Sequence, residues 1–327
     1  MFMFKNICII GAGNIGSRHL QALAKISQPL SIQVIDPSLE ALVVAQQRYK
    51  EINNAQAKHQ INYLQNLNQV KTALDIAIIA TNSDVRSSVG KKLLEKCRVK
   101  YIIFEKILFN ESSEYEEMRK LLSQKGCKAW VNCSMRIDPF YSGLKKHFED
   151  SPITYIVHGS NHGLITNAIH YIDHMAYLTD YYDFVIDTAL LDQKPIKSKR
   201  NGFLELNGTL NIRFADGSYG SFICYPSGNA PFTIEILSEK YYCLMKPMEN
   251  KVLISDSKSN WTWNIKTITF LYQSQMTNRV VTSLLKSGSC QLTPFNVSTK
   301  MHLDLLEPLR KFLNDNSKKK FAGYPFT

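Results

Sequence analysis

Along the first third of the chain, short apolar runs alternate with stretches whose apolar residues recur at three- and four-residue spacing. Runs at 6–10, 31–35, 75–80 and 101–104 are continuous enough for strands buried on both faces, and weaker ones lie at 61–64 and 128–133. Between them the helical period predicts helices over 17–26 and 39–52, through Val85, Val89, Leu93 and Leu94, and from Ser113 to Gly126. Asp36-Pro37-Ser38 supplies a turn and a cap for the second of these. Ser113-Glu114-Tyr115-Glu116 reads as a capping box. Buried strands alternating with helices are the pattern of a parallel sheet covered on both faces. Six strands complete a dinucleotide-binding sheet.

The rhythm changes near Pro152. One helical segment at 167–178 precedes strand-like runs at 206–214, 219–225, 233–237, 241–245, 252–255 and 261–270, and helical spacing returns at 273–285 and 297–313. Ala215-Asp216-Gly217-Ser218, between the first two runs, is a hairpin signal. Strands in succession predict an α+β region with a largely antiparallel open sheet.

Between the first strand and the first helix lies Gly11-Ala12-Gly13-Asn14-Ile15-Gly16. A lone G-x-G-x-x-G is weak, but strand before and helix after are the context that gives it meaning. Gly11 permits the tight turn, Gly13 the approach of a pyrophosphate, and Gly16 close packing of helix on strand. The helix N-terminus, with Asn14 and Ile15, then faces the phosphates. Asp36 ends the second strand where a carboxylate would bind the adenosine ribose hydroxyls and repel a 2′-phosphate. Arg48 is the first arginine after it and lies well into the helix, so NAD is favoured over NADP. Thr81 and Asn82 follow the fourth strand at the switch point where ligands bind in open sheets, and are expected cofactor contacts. The fold class is therefore α/β: a Rossmann NAD-binding domain over 1–127, then an α+β domain over 128–327. A chain of 327 residues is long enough for both.

Composition changes this picture little. An apolar fraction of 44% and a charged fraction of 20% describe a soluble globular chain. No apolar run reaches the ~18 residues of a membrane span, so no membrane is expected. The start, Met1-Phe2-Met3-Phe4-Lys5, lacks the basic leader of a secretory signal and runs straight into the glycine segment. Seven scattered cysteines with no pair at ligand spacing suggest buried thiols in a reducing compartment, the cytoplasm, and no metal. The net charge of +11 raises nucleic acid as a partner. However, the cations are dispersed apart from Lys318-Lys319-Lys320, a solvated tail, and no nucleic-acid motif accompanies them. An anionic cofactor and an anionic substrate account for the balance.

Chemistry centres on two segments. Glu105-Lys106 follows the fifth strand, at the sheet edge where the nicotinamide end of a dinucleotide lies. His170 sits on the first helix of the second domain, within Thr166-Asn167-Ala168-Ile169-His170. Hydride transfer at a carbonyl or alcohol needs a proton donor or acceptor beside the reacting oxygen, and lysine and histidine supply one. His170 and His174 are four apart, a metal-pair spacing, but without a third ligand the structural reading is favoured. His158 and His162 precede that helix and are weaker candidates for lining a substrate cleft. His19 reads as packing.

Five segments together, GAGNIGSRH, IIATNSD, FEKI, NCSMRIDP and GLITNAIHYID, are similar to the glucose-fructose oxidoreductase, inositol dehydrogenase and MocA family over nearly the whole chain. The resemblance implies that Lys106 polarises the reacting hydroxyl and His170 is general acid and base. It also implies that Glu105 belongs to the cofactor site and that Arg136, Thr166 and Asn167 lie near substrate. A homo-oligomer, dimer or tetramer, through the open C-terminal sheet is a further implication. Two departures stand out. Thr166 occupies a position where the family has an aspartate, and Ile107 replaces a proline that commonly follows a cis peptide.

The reaction implied is NAD-dependent interconversion of a secondary alcohol and a ketone on a sugar-like substrate. A nucleotide-linked sugar of surface-polysaccharide synthesis is the specific reading. A non-catalytic NAD-binding regulator of the same fold is the alternative, and an imine- or biliverdin-type reductase has less motif support.

Overall fold

The computed structural model describes residues 4–52, 58–71, 73–148 and 151–327; residues 1–3, part of the stretch weighed as a leader, lie outside it. The chain divides into two compact units, Met1–Ile137 with Leu271–Ser298 and Asp138–Phe270 with Thr299–Thr327.

The first unit opens with β1 (Lys5–Ile10), α1 (Asn14–Leu23), β2 (Leu30–Ile35), α2 (Leu39–Lys50) and β3 (Gln60–Leu64). It continues with β4 (Ala73–Ile79), α3 (Ser83–Lys96), β5 (Arg98–Phe104), α4 (Ser112–Gln124) and β6 (Lys128–Val131). These six strands pair in the order 6-5-4-1-2-3, all parallel, the doubly wound order of a dinucleotide-binding sheet. The centre is apolar on both faces. Ile7 stands between Ile32 and Ile76, and Ile9 between Val34 and Ile78, all fully buried. The expected capping box at Ser113 is absent. The chain turns into α4 at Ser112 after Glu111 without a side-chain cap, and Glu116 pairs with Arg119 at 2.6 Å.

The second unit begins with α5 (Pro139–Gly143), α6 (Lys145–Phe148), β7 (Thr154–Ser160), α7 (Leu164–Thr179) and β8 (Phe184–Asp187). There follow β9 (Ile196–Lys197), β10 (Leu204–Glu205), β11 (Gly208–Phe214), β12 (Tyr219–Tyr225) and β13 (Thr233–Leu237). It closes its sheet with β14 (Tyr241–Lys246), β15 (Lys251–Asp256) and β16 (Asn264–Thr267). Eight strands lie in the order 16-15-14-13-7-12-11-8, antiparallel except where β12 runs parallel to β7. The expected hairpin joins β11 to β12, with Gly217 at φ +90°. One sheet face is buried: Tyr155 and Val157 of β7 point inward, and Tyr171 of α7 meets Phe222 of β12 with ring centroids 5.2 Å apart. The other face is half-exposed, as one-sided antiparallel sheets are. β7 itself was not expected, because outward-facing Ile156 and the polar His158 and Ser160 blur its alternation.

The chain then returns to the first unit with α8 (Gln273–Ser287) and β17 (Thr293–Pro294) before α9 (Phe295–Asn316), most of which counts with the second. Met276, Val280, Val281 and Leu284 of α8 join the core cluster that holds Leu20 and Leu23 of α1. β17 adds an antiparallel edge to β6. The units therefore differ from a division at 127. β6 must pair with β5 to complete the sheet, and the apolar stripe of α8 completes its cover.

Candidate functional site

The glycine segment leaves β1 at the C-terminal edge of the parallel sheet. Gly11 has φ +92°, and a Cβ there would lie 2.9 Å from the backbone of Ala80 and Thr81. A Cβ on Gly16 would stand 1.7 Å from the Gly11 carbonyl oxygen, so only glycine lets α1 approach the loop this closely. At Gly13 a Cβ would meet nothing within 4 Å. There the backbone borders open space, which suits a pyrophosphate. No side chain caps the start of α1, leaving its N–H groups and positive dipole end for an anion.

The Asp36 carboxylate is fixed beside this loop. Its Oδ2 accepts from the Ala12 N–H at 2.7 Å and its Oδ1 from Ser38 N–H at 2.9 Å. The carboxylate keeps lone pairs for ribose hydroxyls. Arg48, expected to lie away from the site, reaches back from α2. Its guanidinium donates to Ser17 Oγ at 2.6 Å and to exposed Asn14 Oδ1 at 3.4 Å. Thr81 follows β4 with its buried hydroxyl unpartnered among the described residues. Exposed Asn82 precedes α3 without making a cap bond. An orphaned hydroxyl, an uncapped helix start and an open glycine cradle fit a bound dinucleotide.

β5 delivers Glu105 and Lys106 to the same edge. The Glu105 carboxylate turns inward and is buried. His19 Nε2 lies 2.9 Å from its Oε1, and the Asn132 amide donates to the same oxygen. His19 Nδ1 meets Thr277 Oγ1 at 2.8 Å. The Gln273 amide donates to Thr277 at 2.9 Å and accepts from Asn132 at 2.9 Å. Burial alone would push the Glu105 carboxyl up. The His19 hydrogen bond and charge, the Asn132 bond and the Arg86 charge outweigh it and hold the group at about 2. The carboxylate is thus committed to a polar network within the first unit, and His19, read as packing, is part of it.

Sequence reasoning missed Arg86. It is 2% exposed and sits in the early part of α3. Its Nη1 donates to the carbonyls of Glu105 at 2.8 Å and Leu108 at 3.1 Å, and to that of Ile107. Its Nη2 donates to the Thr81 carbonyl. The peptide between Lys106 and Ile107 is cis. A cation near a helix start, against the dipole, was the one signal available. Arg136, buried in a short turn of helix at Ser134–Ile137, completes the expected residues of this unit.

The remaining candidates belong to the second unit. Thr166, Asn167 and His170 are half-exposed along one face of α7, while Ile165, Ala168, Ile169 and Ile172 are buried. α7 starts three residues earlier than its apolar period suggests because Glu205 caps it from a distance. The Glu205 carboxylate accepts from the N–H groups of Ile165 at 2.7 Å, Thr166 at 3.2 Å and Leu206 at 3.0 Å. Thr166 Oγ1 donates to the Thr327 carbonyl at 3.3 Å, and Asn167 to that of His162 at 2.6 Å. His174 is buried, with Nδ1 3.0 Å from the Tyr155 hydroxyl and Nε2 3.1 Å from the Tyr141 carbonyl. Both its nitrogens are therefore engaged in structure. His158 faces outward on β7, 3.1 Å from Glu235, and His162 lies 3.0 Å from the Ile223 carbonyl.

Residues 5–133 match the oxidoreductase family with the NAD-binding Rossmann fold, the glucose-fructose oxidoreductase, inositol dehydrogenase and MocA group. The first unit is accordingly an NAD-binding Rossmann domain. No curated protein matches the chain in sequence. Among solved structures, UDP-N-acetylglucosamine 3-dehydrogenase from Acidithiobacillus ferrooxidans is 12% identical, with a TM-score of 0.70 over 93% of this chain and 96% of that one. An Agrobacterium radiobacter oxidoreductase in complex with NAD+, L-tartaric acid and magnesium is 12% identical, with a TM-score of 0.72 over 96% and 98%. A super-repressor mutant of Gal80p from Saccharomyces cerevisiae is 14% identical, with a TM-score of 0.71 over 96% and 97%. At these identities the likeness is one of fold, and it spans both units.

Proposed function

We propose that this chain is an NAD-dependent dehydrogenase or reductase acting on a CH–OH group of a sugar-like substrate. The observation that carries the reading is Lys106 at the sheet edge that also holds the open glycine cradle and the Asp36 carboxylate. NAD, when bound, supplies the hydride acceptor or donor. The Lys106 ammonium polarises the substrate oxygen, and His170 takes the hydroxyl proton during oxidation and returns it during reduction. Asp36 favours NAD over NADP, since its charge would face a 2′-phosphate.

The finer reading is a nucleotide-linked sugar, supported by the net charge of +11 and by the fold shared with a UDP-N-acetylglucosamine 3-dehydrogenase. The half-exposed face of the eight-stranded sheet supports assembly of copies into a dimer or tetramer. All seven cysteines are thiols, six of them buried, which supports a reducing compartment such as the cytoplasm. No helix among the described residues is long and apolar enough to cross a membrane.

The test is turnover of NAD(H) by the purified protein against a panel of nucleotide-linked and free sugars. Lys106→Met and His170→Ala should each lower the rate by about 10²-fold or more. Turnover that survives both changes would refute the assignment. A second reading rests on the shared fold of Gal80p, whose solved form is a super-repressor: an NAD-binding regulator without turnover. Tight NAD binding with no activity on the panel would favour it.

A further inference from the structure

We infer that Arg86 is the positioning residue for Lys106. The inference rests on the proposed role of Lys106 and adds the group that sets where its ammonium stands. The guanidinium reaches four backbone carbonyls from two loops. Three of them, on Glu105, Ile107 and Leu108, bracket Lys106, and the fourth is that of Thr81 in the turn after β4. A planar guanidinium with five donors spans such a set, whereas an ammonium with three donors on one atom does not.

Arg86 is a buried cation. It is 2% exposed, so its charge serves no solvent-facing purpose. Ile107, Leu108 and Phe109 are fully buried, so the chain leaving Lys106 is anchored by packing while the turn itself is held by Arg86. The ionised Glu105 carboxylate feels the Arg86 charge. It is bound in turn to His19 of α1, the helix that opens at the glycine segment. Cofactor loop, Thr81 and Lys106 are thereby fixed relative to one another. Displacement of a reacting group by about 1 Å can cost on the order of 10²-fold in rate, so a residue that fixes Lys106 controls chemistry without touching substrate.

The test compares Arg86→Ala and Arg86→Lys in the full chain. Turnover should fall about 10²-fold in Arg86→Ala and about 10-fold in Arg86→Lys. NAD affinity should change less than about 5-fold, because Arg86 meets the cofactor edge only at the Thr81 carbonyl, while the glycine cradle and Asp36 carry the dinucleotide. Added guanidinium should restore about 10-fold of the Arg86→Ala rate and nothing in Arg86→Lys. In the Lys106→Met background the Arg86→Ala change should cost less than about 3-fold more, since the group it positions is gone. A full additive loss there, or a folded Arg86→Ala protein that guanidinium leaves unchanged, would overturn the inference.

A readout free of substrate separates this from the activity itself. Labelling by pyridoxal 5′-phosphate and borohydride, followed by peptide mapping, should show the Lys106 rate altered in Arg86→Ala and returned by guanidinium. Exposed Lys125 serves as the unchanged reference. A wild-type chain inert on every sugar would refute the proposed activity, while the Lys106 labelling would still decide the role of Arg86. If Arg86→Ala does not fold, the same labelling and turnover on Arg86→Lys carry the decision, with unaltered values counting against the inference.

Discussion

Replacing Glu105 by glutamine removes a buried charge and keeps its shape. The carboxyl titrates at about 2 in the folded chain, against an ordinary 4.5. A drop of that size corresponds to about 3 kcal/mol of stability at neutral pH. Because the folded value is the lower one, the contribution is complete above about pH 4.5 and drains away as the pH falls toward 2. At pH 3 about half of it should remain. Glu105→Gln lacks this contribution at every pH, and it also removes the negative charge that Arg86 faces at Glu105. The stability gap between wild type and Glu105→Gln should therefore be widest near pH 7 and shrink by about 2 kcal/mol at pH 3. Urea unfolding followed by tryptophan fluorescence reads this directly. Trp130, 7% exposed in the first unit, reports the transition, whereas Trp261 and Trp263 are already 42% and 46% exposed. A gap that stays constant between the two pH values would refute the account of Glu105 as an ionised buried carboxylate.

The glycine segment predicts a contrast. Gly16→Ala should give insoluble or unfolded protein on expression, whereas Gly13→Ala should keep its melting temperature and bind NAD about 10-fold or more weakly by calorimetric titration. Asp36→Ala should weaken NAD binding and narrow its advantage over NADP, and equal binding of both cofactors by the wild type would refute the role given to its charge. Glu205→Ala leaves two backbone donors at the start of α7 and that of Leu206 without their acceptor; thermal or urea unfolding should show a loss of about 2 kcal/mol or more, and a neutral result would mean that water replaces the carboxylate there.

What the sequence made legible was local. Alternating apolar runs mark all six parallel strands, and the glycine spacing with Asp36 points to one edge of the sheet as the place for a cofactor. In both cases residues near in sequence carry the physics, through period, turn and cap. What stayed hidden depended on distant partners. His19 meets Thr277, Asn132 meets Gln273, Arg86 clasps the turn around Lys106, and Glu205 caps a helix forty positions earlier. A polar residue at a buried position announces that it needs a partner, but its own neighbourhood does not say which. Thus Glu105, counted as a cofactor contact, lies in the interior with His19, and α7 begins at Leu164 because a remote carboxylate permits it.

The return of α8 to the first unit has a bearing on how the protein is made. The cofactor-binding unit is encoded in two pieces, and the stretch between them, 138–270, is most of the other unit. During synthesis at about 5–20 residues per second, β1 to β6 wait on the order of ten seconds for α8 to emerge. Until then Leu20 and Leu23 lack the apolar cover of Met276, Val280 and Val281, and Glu105 lacks the Gln273 and Thr277 end of its network. Through that interval the nascent sheet leaves apolar surface exposed, which favours aggregation. A fragment cut at 137 would carry every residue of the glycine segment and still be an unfinished product.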